Sequence, residues 1–433
     1  MATTTAAPLR PVPSEVRGFE RPANRAILTI GAFCVLGAAL VLRRPDAVTN
    51  PQFWAEDGQT WFAEAYNNGW IAAVFTAHTG YFQTMSRLVA AGGVGVGLAW
   101  APLLFNLVAL VLELAPIALV LTPRFGRVVP SLPVRLLLAA IYVCTPNLEI
   151  QGNITNGQWH LGLLALMVLV MPRSRVMAWQ VFDFFILVLT GLSTIFGFIL
   201  FPLALYKWRR THDRSDLTYA LWNLPFAVLQ GISLFLLFDT RSPGPLGAGW
   251  QPLARIVANR IVINGVAASD SNPAIYTQAL PHGLLFATLI SLVAAAVFGV
   301  VLLRGPTALK IFDIFAALVL LIALAKPHVN ALLPQWPIVA STGAGDRYFL
   351  IPELALLASL TWLFSLLPRR VLWGAGGIAA TIFVVHAALN WQFPPYIDYH
   401  PAAQAQQLAA APEGTRVTLK INPPPFAMQL TKR

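Results

Sequence analysis

The sequence predicts an all-α polytopic membrane protein, and three observations carry that prediction. Hydrophobic residues make up 57% of the 433-residue chain and charged residues only 11%, too little polar surface to cover a fold of this size in water. Apolar runs of helical length recur from residue 26 to residue 390, as a hydrocarbon core about 30 Å thick requires. Lys and Arg fall in short clusters between those runs, the pattern of loops held on one side of a bilayer. The formal net charge of +11 therefore belongs to membrane topology and not to a nucleic-acid partner.

Residues 1–25 read as a disordered cytoplasmic tail, bearing Pro, Thr and Arg and followed by an apolar run with no small-residue cleavage site. Spans are expected near 26–42, 101–121, 131–146, 158–171, 178–190, 193–206, 217–238, 282–303, 310–325, 348–367 and 371–390, about eleven in one domain covering 26–390. With that count the basic clusters, among them Arg124 and Arg127, Arg173 and Arg175, Lys207 to Arg214, and Arg369 and Arg370, share the cytoplasmic side. "TGLST" between 178–190 and 193–206 reads as an outer turn or as a break in one long helix. A single helix there would flip every later segment and scatter the charge clusters.

The outer face then receives loops 43–100, 146–159, 239–281 and 326–348 and the C-terminal tail 391–433. In the first loop, "QTWFAEAYNNGW" and "FQTMSRLVAAGGVGVG" are predicted to lie along the interface as short helices, with Trp54, Trp61 and Trp70 at headgroup depth. Segment 251–268 reads the same way. The tail is expected to hold one helix and one strand pinned to the core, too short for an independent domain. Cys34 and Cys144 offer neither a disulfide framework nor metal-ligand spacing.

"FWAEDG" (53–58) sets Glu56 and Asp57 in the first outer loop, and later outer segments carry Asn153-Ile154-Thr155-Asn156-Gly157-Gln158-Trp159 and Arg347-Tyr348-Phe349. This plan resembles the GT-C superfamily of integral-membrane glycosyltransferases. The likeness is closer to bacterial members with an "FWAEDG"-like first loop, a later "N-x-x-N-x-Q-W" and an "R-Y-F" element. The resemblance implies a catalytic acidic residue in the first outer loop, a sugar drawn from a polyprenyl-phosphate donor, and a place in a bacterial inner membrane with an envelope glycan or lipid as acceptor. The chain lacks the large C-terminal soluble domain of the oligosaccharyl and protein-mannosyl transferases, so a protein acceptor does not carry over.

Transfer from a lipid phosphate needs a base for the acceptor hydroxyl, and Asp57 with Glu56 beside it is the expected catalytic pair. The competing reading is that Asp57 caps the helix beginning at Gly58. Charge grows on the leaving phosphate, so cations are expected to converge there: Arg347 first, then Lys326, His328 and Arg87. Pairing of Arg347 with Asp346 or Glu353, and snorkelling of Lys326 from its helix end, are the structural alternatives. His78, Asn153, Asn156, Gln158, Trp159 and Tyr348 are expected to meet the sugar or acceptor, although a tight turn satisfying its own backbone accounts for the asparagines equally well. Glu56, Asp57, His78 and His328 are chemically compatible with a Mg or Mn ion, yet no ligand spacing marks a metal site. A transporter, flippase or polymerase of lipid-linked glycans would share the composition, and Glu113 in "LVLELAP" is the carboxylate a carrier would use within the bilayer.

Overall fold

Every apolar run named above folds into a helix. In chain order these are α1 (Pro22–Arg43), α2 (Ala101–Leu121), α3 (Leu132–Cys144), α4 (Gly157–Val170), α5 (Met177–Ser193), α6 (Phe196–Thr211), α7 (Arg214–Leu237), α8 (Gly283–Arg304), α9 (Thr307–Ala325), α10 (Leu350–Ser365) and α11 (Leu372–Leu389). The structure, a computed structural model, describes residues 22–237, 244–267, 282–330, 332–341, 343 and 345–433. The predicted tail before residue 22 and residues 239–243 and 268–281 of the long loop lie outside the described residues, while the described part of that loop is helical from Trp250 to Ala267. Among the described residues, α1, α2, α7, α8, α9 and α11 are long and apolar enough to cross a membrane, and α3, α4, α5 and α10 are shorter apolar helices. The chain is a helical membrane protein with little sheet.

The junction after α5 is a reversal, not a break in one long helix. Near the end of α5, Met85 N donates to Ser193 Oγ at 2.9 Å and Thr84 Oγ1 to Leu192 O at 2.9 Å, tying this end to the first loop. At the far end of α6, Lys207 Nζ donates to the carbonyls of Leu169 (2.8 Å) and Met171 (3.0 Å). Arg124, beside the same end of α4, donates to Pro172 O and grips Asp183 of α5 at 2.6 Å. Residues 183 and 207 thus share one end of the bundle and 193–196 the other. Glycines permit the close turn: a Cβ on Gly197 would stand 2.8 Å from the Gly191 Cα.

Short helices Ala63–Asn68, Trp70–Val74 and Thr84–Val96 fill the first loop as expected, led by a π-helical turn over Asp57–Phe62. The tail departs from expectation. It holds the helix Pro401–Ala410 but two strands, β1 (Arg416–Lys420) and β2 (Ala427–Thr431), paired antiparallel from Arg416↔Thr431 to Lys420↔Ala427. Prolines 423–425, which cannot continue a ladder, hide the second strand in the sequence by making "NPPPFAMQL" read as irregular. Val417, Leu419, Met428 and Leu430 are buried, and β2 packs on the first-loop helices.

Candidate active site

The six residues of "FWAEDG" have distinct surroundings. Phe53 anchors the stretch in the core, its ring 5.2 Å from Phe62 and 5.1 Å from Phe105. The tail clamps the backbone: Ala55 N donates to Asn422 O at 2.5 Å and Asn422 N to Phe53 O at 3.1 Å. Ala55 sits at φ 44°, a left-handed conformation that costs a non-glycine residue on the order of 1 kcal/mol and persists where its surroundings over-determine it. Gly58 leaves space for the tail, since a Cβ there would stand 3.0 Å from Ile421 Cδ1 and 3.2 Å from Phe53 Cβ.

The strained turn separates the two carboxylates. Asp57 is fully buried and does not cap its own helix. Its Oδ1 accepts from Thr155 N and Thr155 Oγ1, both at 2.7 Å, and its Oδ2 from Ile154 N at 3.3 Å. It therefore bolts the first loop to the 146–159 loop, and its carboxylate is spent on protein donors. Burial pushes the Asp57 carboxyl up to about 7, against the opposing pull of those three hydrogen bonds. Glu56, half-buried, faces a cavity of about 770 Å³ that Asp57 does not line.

This cavity gathers most of the predicted residues. Glu56, His78, Asn156, Gln158, Trp159, His328, Arg347 and Tyr348 line it; Asp57, Arg87, Asn153 and Lys326 do not. An apolar arm of Ile195, Phe196, Ile199, Val319, Ile322 and Ala323 extends it between α6 and α9. Burial holds the His78 imidazole below its ordinary value, against the pull of Glu56 and Glu64, and its ring meets Trp61 edge-on at 5.0 Å. Gln158 accepts from Tyr81 Oη at 3.1 Å. Trp159 stands between Phe196 (5.3 Å) and Tyr348 (5.8 Å), both tilted across its plane.

Arg347 pairs with neither Asp346 nor Glu353. Its guanidinium grips Glu149, while its other nitrogen donates to His328 O at 2.7 Å and to Tyr348 Oη at 3.1 Å. Burial pulls this guanidinium's pKa down, and the Glu149 carboxylate more than reverses that, so it stays a cation. Both side chains of the pair remain about a fifth exposed, 21% and 20%, leaving the arginine reachable from the cavity. Asp346 pairs instead with Arg260, and Glu353 accepts from Asn147 Nδ2 at 3.1 Å. Arg87 is buried beneath Trp61 (5.1 Å) and salt-bridged to Glu64 at 2.7 Å, outside the cavity. Lys326, half-buried, caps the end of α9.

The turn reading holds for Asn153. Its Nδ2 donates to Glu149 O at 2.8 Å and its Oδ1 accepts from Asn156 N at 3.0 Å. Asn156 contributes to the same turn through Nδ2 to Glu149 O at 2.9 Å while also lining the cavity. Glu113 is committed to protein donors, accepting Gly152 N at 2.6 Å and Gln151 Nε2 at 2.9 Å. Among the described residues, no three His, Cys, Asp or Glu side chains gather as a metal site, and Glu56, Asp57, His78 and His328 do not form one cluster.

One residue lining the cavity, Glu149, and two buried arginines, Arg43 and Arg44, escape sequence reasoning. Glu149 lies in the quoted 146–159 loop, but its partner is 198 positions away. Arg43 ends α1 at the first-loop end of the bundle, Arg44 follows it, and both are buried. Arg43 Nη1 donates to the carbonyls of Val143 (2.6 Å) and Thr145 (2.7 Å), and Arg44 Nη1 to Gln151 O at 2.9 Å, with the Arg44 guanidinium 5.3 Å from the Trp54 ring. Their position carries the signal: two arginines at the start of a loop that the charge rule predicts to be outer, where few are expected, must be held by protein.

The fold and cavity define a helical membrane protein with a large polar pocket at one end of the bundle and an apolar arm leading into it. No family model matches the chain, and neither a curated protein nor a solved structure does.

Proposed function

We propose that the chain is a glycosyltransferase of the GT-C type, with helices α1 to α11 all crossing a bacterial inner membrane and the 770 Å³ cavity on its outer face. The observation that carries this reading is the two-part cavity. Its polar end joins a carboxylate (Glu56), an arginine with reachable guanidinium (Arg347) and an aromatic wall (Trp159, Tyr348), and its apolar arm runs between α6 and α9. A ligand with a sugar, a phosphate and a long hydrocarbon tail matches that division, which is the composition of a polyprenyl-phosphate sugar.

In this mechanism Glu56 takes over the role the sequence assigned to Asp57. The Glu56 carboxylate removes the proton of the acceptor hydroxyl as that oxygen bonds to the sugar C1. The bond from C1 to the phosphate oxygen breaks on the opposite face, inverting the centre, and polyprenyl phosphate leaves with its charge against Arg347. Asp57 positions Glu56 by fixing the loop. The acceptor is an envelope glycan or lipid entering past Trp54 and His78.

The test is reconstitution with a panel of polyprenyl-phosphate sugars. Glu56→Gln is expected to lose about 10²- to 10⁴-fold in turnover while still binding donor, and Arg347→Gln to raise the donor KM. No turnover or binding of any donor by the wild type would overturn the transferase reading. Full activity in Glu56→Gln would overturn the assignment of the base.

A further inference from the structure

The seam between α4 and α9 that lines the first cavity continues to the other end of the bundle and opens into a second one, of about 470 Å³. Trp159 lines the first cavity and Leu163, Met167 and Val170 the second, all on one face of α4; on α9 the corresponding residues are Val319 and Ile322, then Phe312 and Ala308. Between them lie the Phe196 and Phe315 rings, 5.6 Å apart. Phe196 rests directly on Gly162, where a Cβ would come within 2.2 Å of its ring. The two cavities are separate.

The second cavity is lined almost wholly by apolar side chains. A buried water needs two to four polar partners, and the few hydroxyls scattered in this lining each already hold one hydrogen bond within the protein. Tyr142 Oη donates to Glu113 O at 3.0 Å, Thr361 Oγ1 to Leu357 O at 2.7 Å and Ser365 Oγ to Trp362 O at 2.6 Å, while Ser131 Oγ accepts from Val134 N at 3.5 Å. Left empty, a void of this size would forfeit dispersion contacts in proportion to its volume. Hydrocarbon is the filling that satisfies both conditions.

Its mouth identifies the owner of that hydrocarbon. Val128, Pro130 and Ser131 in the turn between α2 and α3, Pro306 before α9 and Ser365 at the end of α10 form the rim. The same turns carry Arg127 and Arg304, both exposed. We propose that the cavity binds one acyl chain of an anionic phospholipid, its headgroup phosphate lying against Arg127 and Arg304. The site rests on the membrane fold alone and stands whether or not the chain is a transferase.

The test uses the full chain in nanodiscs of phosphatidylcholine doped with phosphatidylglycerol bearing a diazirine near the end of one acyl chain, with adducts mapped after photolysis by mass spectrometry. The expected result is an excess of adducts at Leu163 and Met167, which are buried, over Leu303 and Phe235, which face the lipid. Arg127→Gln and Arg304→Gln should each lower that excess about fivefold, and Ala358→Phe should remove it while leaving Leu303 labelled. Three outcomes would overturn the proposal: no excess at Leu163 and Met167, equal labelling by a diazirine phosphatidylcholine, or labelling there only by a diazirine polyprenyl phosphate. The arginine variants keep the test decisive should Ala358→Phe fail to fold.

Discussion

Replacing Asp57 by Asn removes a buried carboxyl whose folded-state pKa, about 7, lies well above its ordinary 3.8. The native protein thus holds this proton more tightly than the unfolded chain does. Below the ordinary value both states are protonated and the native-state advantage is complete; it is lost as pH rises toward the folded value, because only the unfolded chain ionises freely. At about 1.4 kcal/mol per unit, the loss across the window is roughly 4 kcal/mol, of which about 3 kcal/mol falls between pH 5 and pH 8. Asn does not titrate, and its Oδ1 can still accept from Thr155 N and Thr155 Oγ1, the two closest donors. Asp57→Asn is therefore expected to gain stability relative to wild type on going from pH 5 to pH 8. Thermal unfolding in detergent, followed by tryptophan fluorescence at the two pH values, measures the change. An unchanged difference would mean that the carboxylate is ionised throughout and that its hydrogen bonds outweigh burial.

Three further outcomes follow from the same geometry. Gly58→Val should cost about 1–3 kcal/mol, because its side chain meets Ile421 and Phe53; a thermal midpoint equal to that of wild type would show that the tail yields without strain. Glu149→Gln retains an acceptor for Arg347 N but removes the charge that now occupies the guanidinium. It should lower the donor KM roughly tenfold if phosphate and Glu149 compete for Arg347, and an unchanged KM would separate Arg347 from the phosphate. Glu113→Gln leaves one of two buried donors, Gly152 N or Gln151 Nε2, without its acceptor, so a loss of about 1–3 kcal/mol in stability is expected. A normal midpoint combined with a change in solute flux would instead point to a carrier.

The helices were legible because their cause is local. A run of apolar residues bounded by charge states its own environment, and the junction at Ser193–Phe196 was decided by the arginines and lysines flanking its two arms. The site was legible only to the level of the loop. "FWAEDG" announces two acids at a membrane rim, yet which one reaches the cavity depends on the left-handed turn at Ala55, a conformation its side chain gives no reason to expect. That turn is held by Asn422, more than 360 positions later, and no local pattern encodes such a constraint. Arg347 was legible as a cation in a polar loop, but its partner Glu149 was not, because both belong to loops whose proximity only the packed bundle decides. Arg87 lies outside the cavity for the same reason: Glu64 and Trp61 draw it under the first-loop helices.

The ring pair of Phe196 and Phe315 carries a consequence of its own. Two hollows on one seam, reaching in from opposite ends of the bundle, would otherwise meet as one passage along α4 and α9. Phe196, seated on the bare backbone of Gly162, and the Phe315 ring beside it close that passage with a layer of hydrocarbon, so the bundle is hollowed from both ends without being pierced.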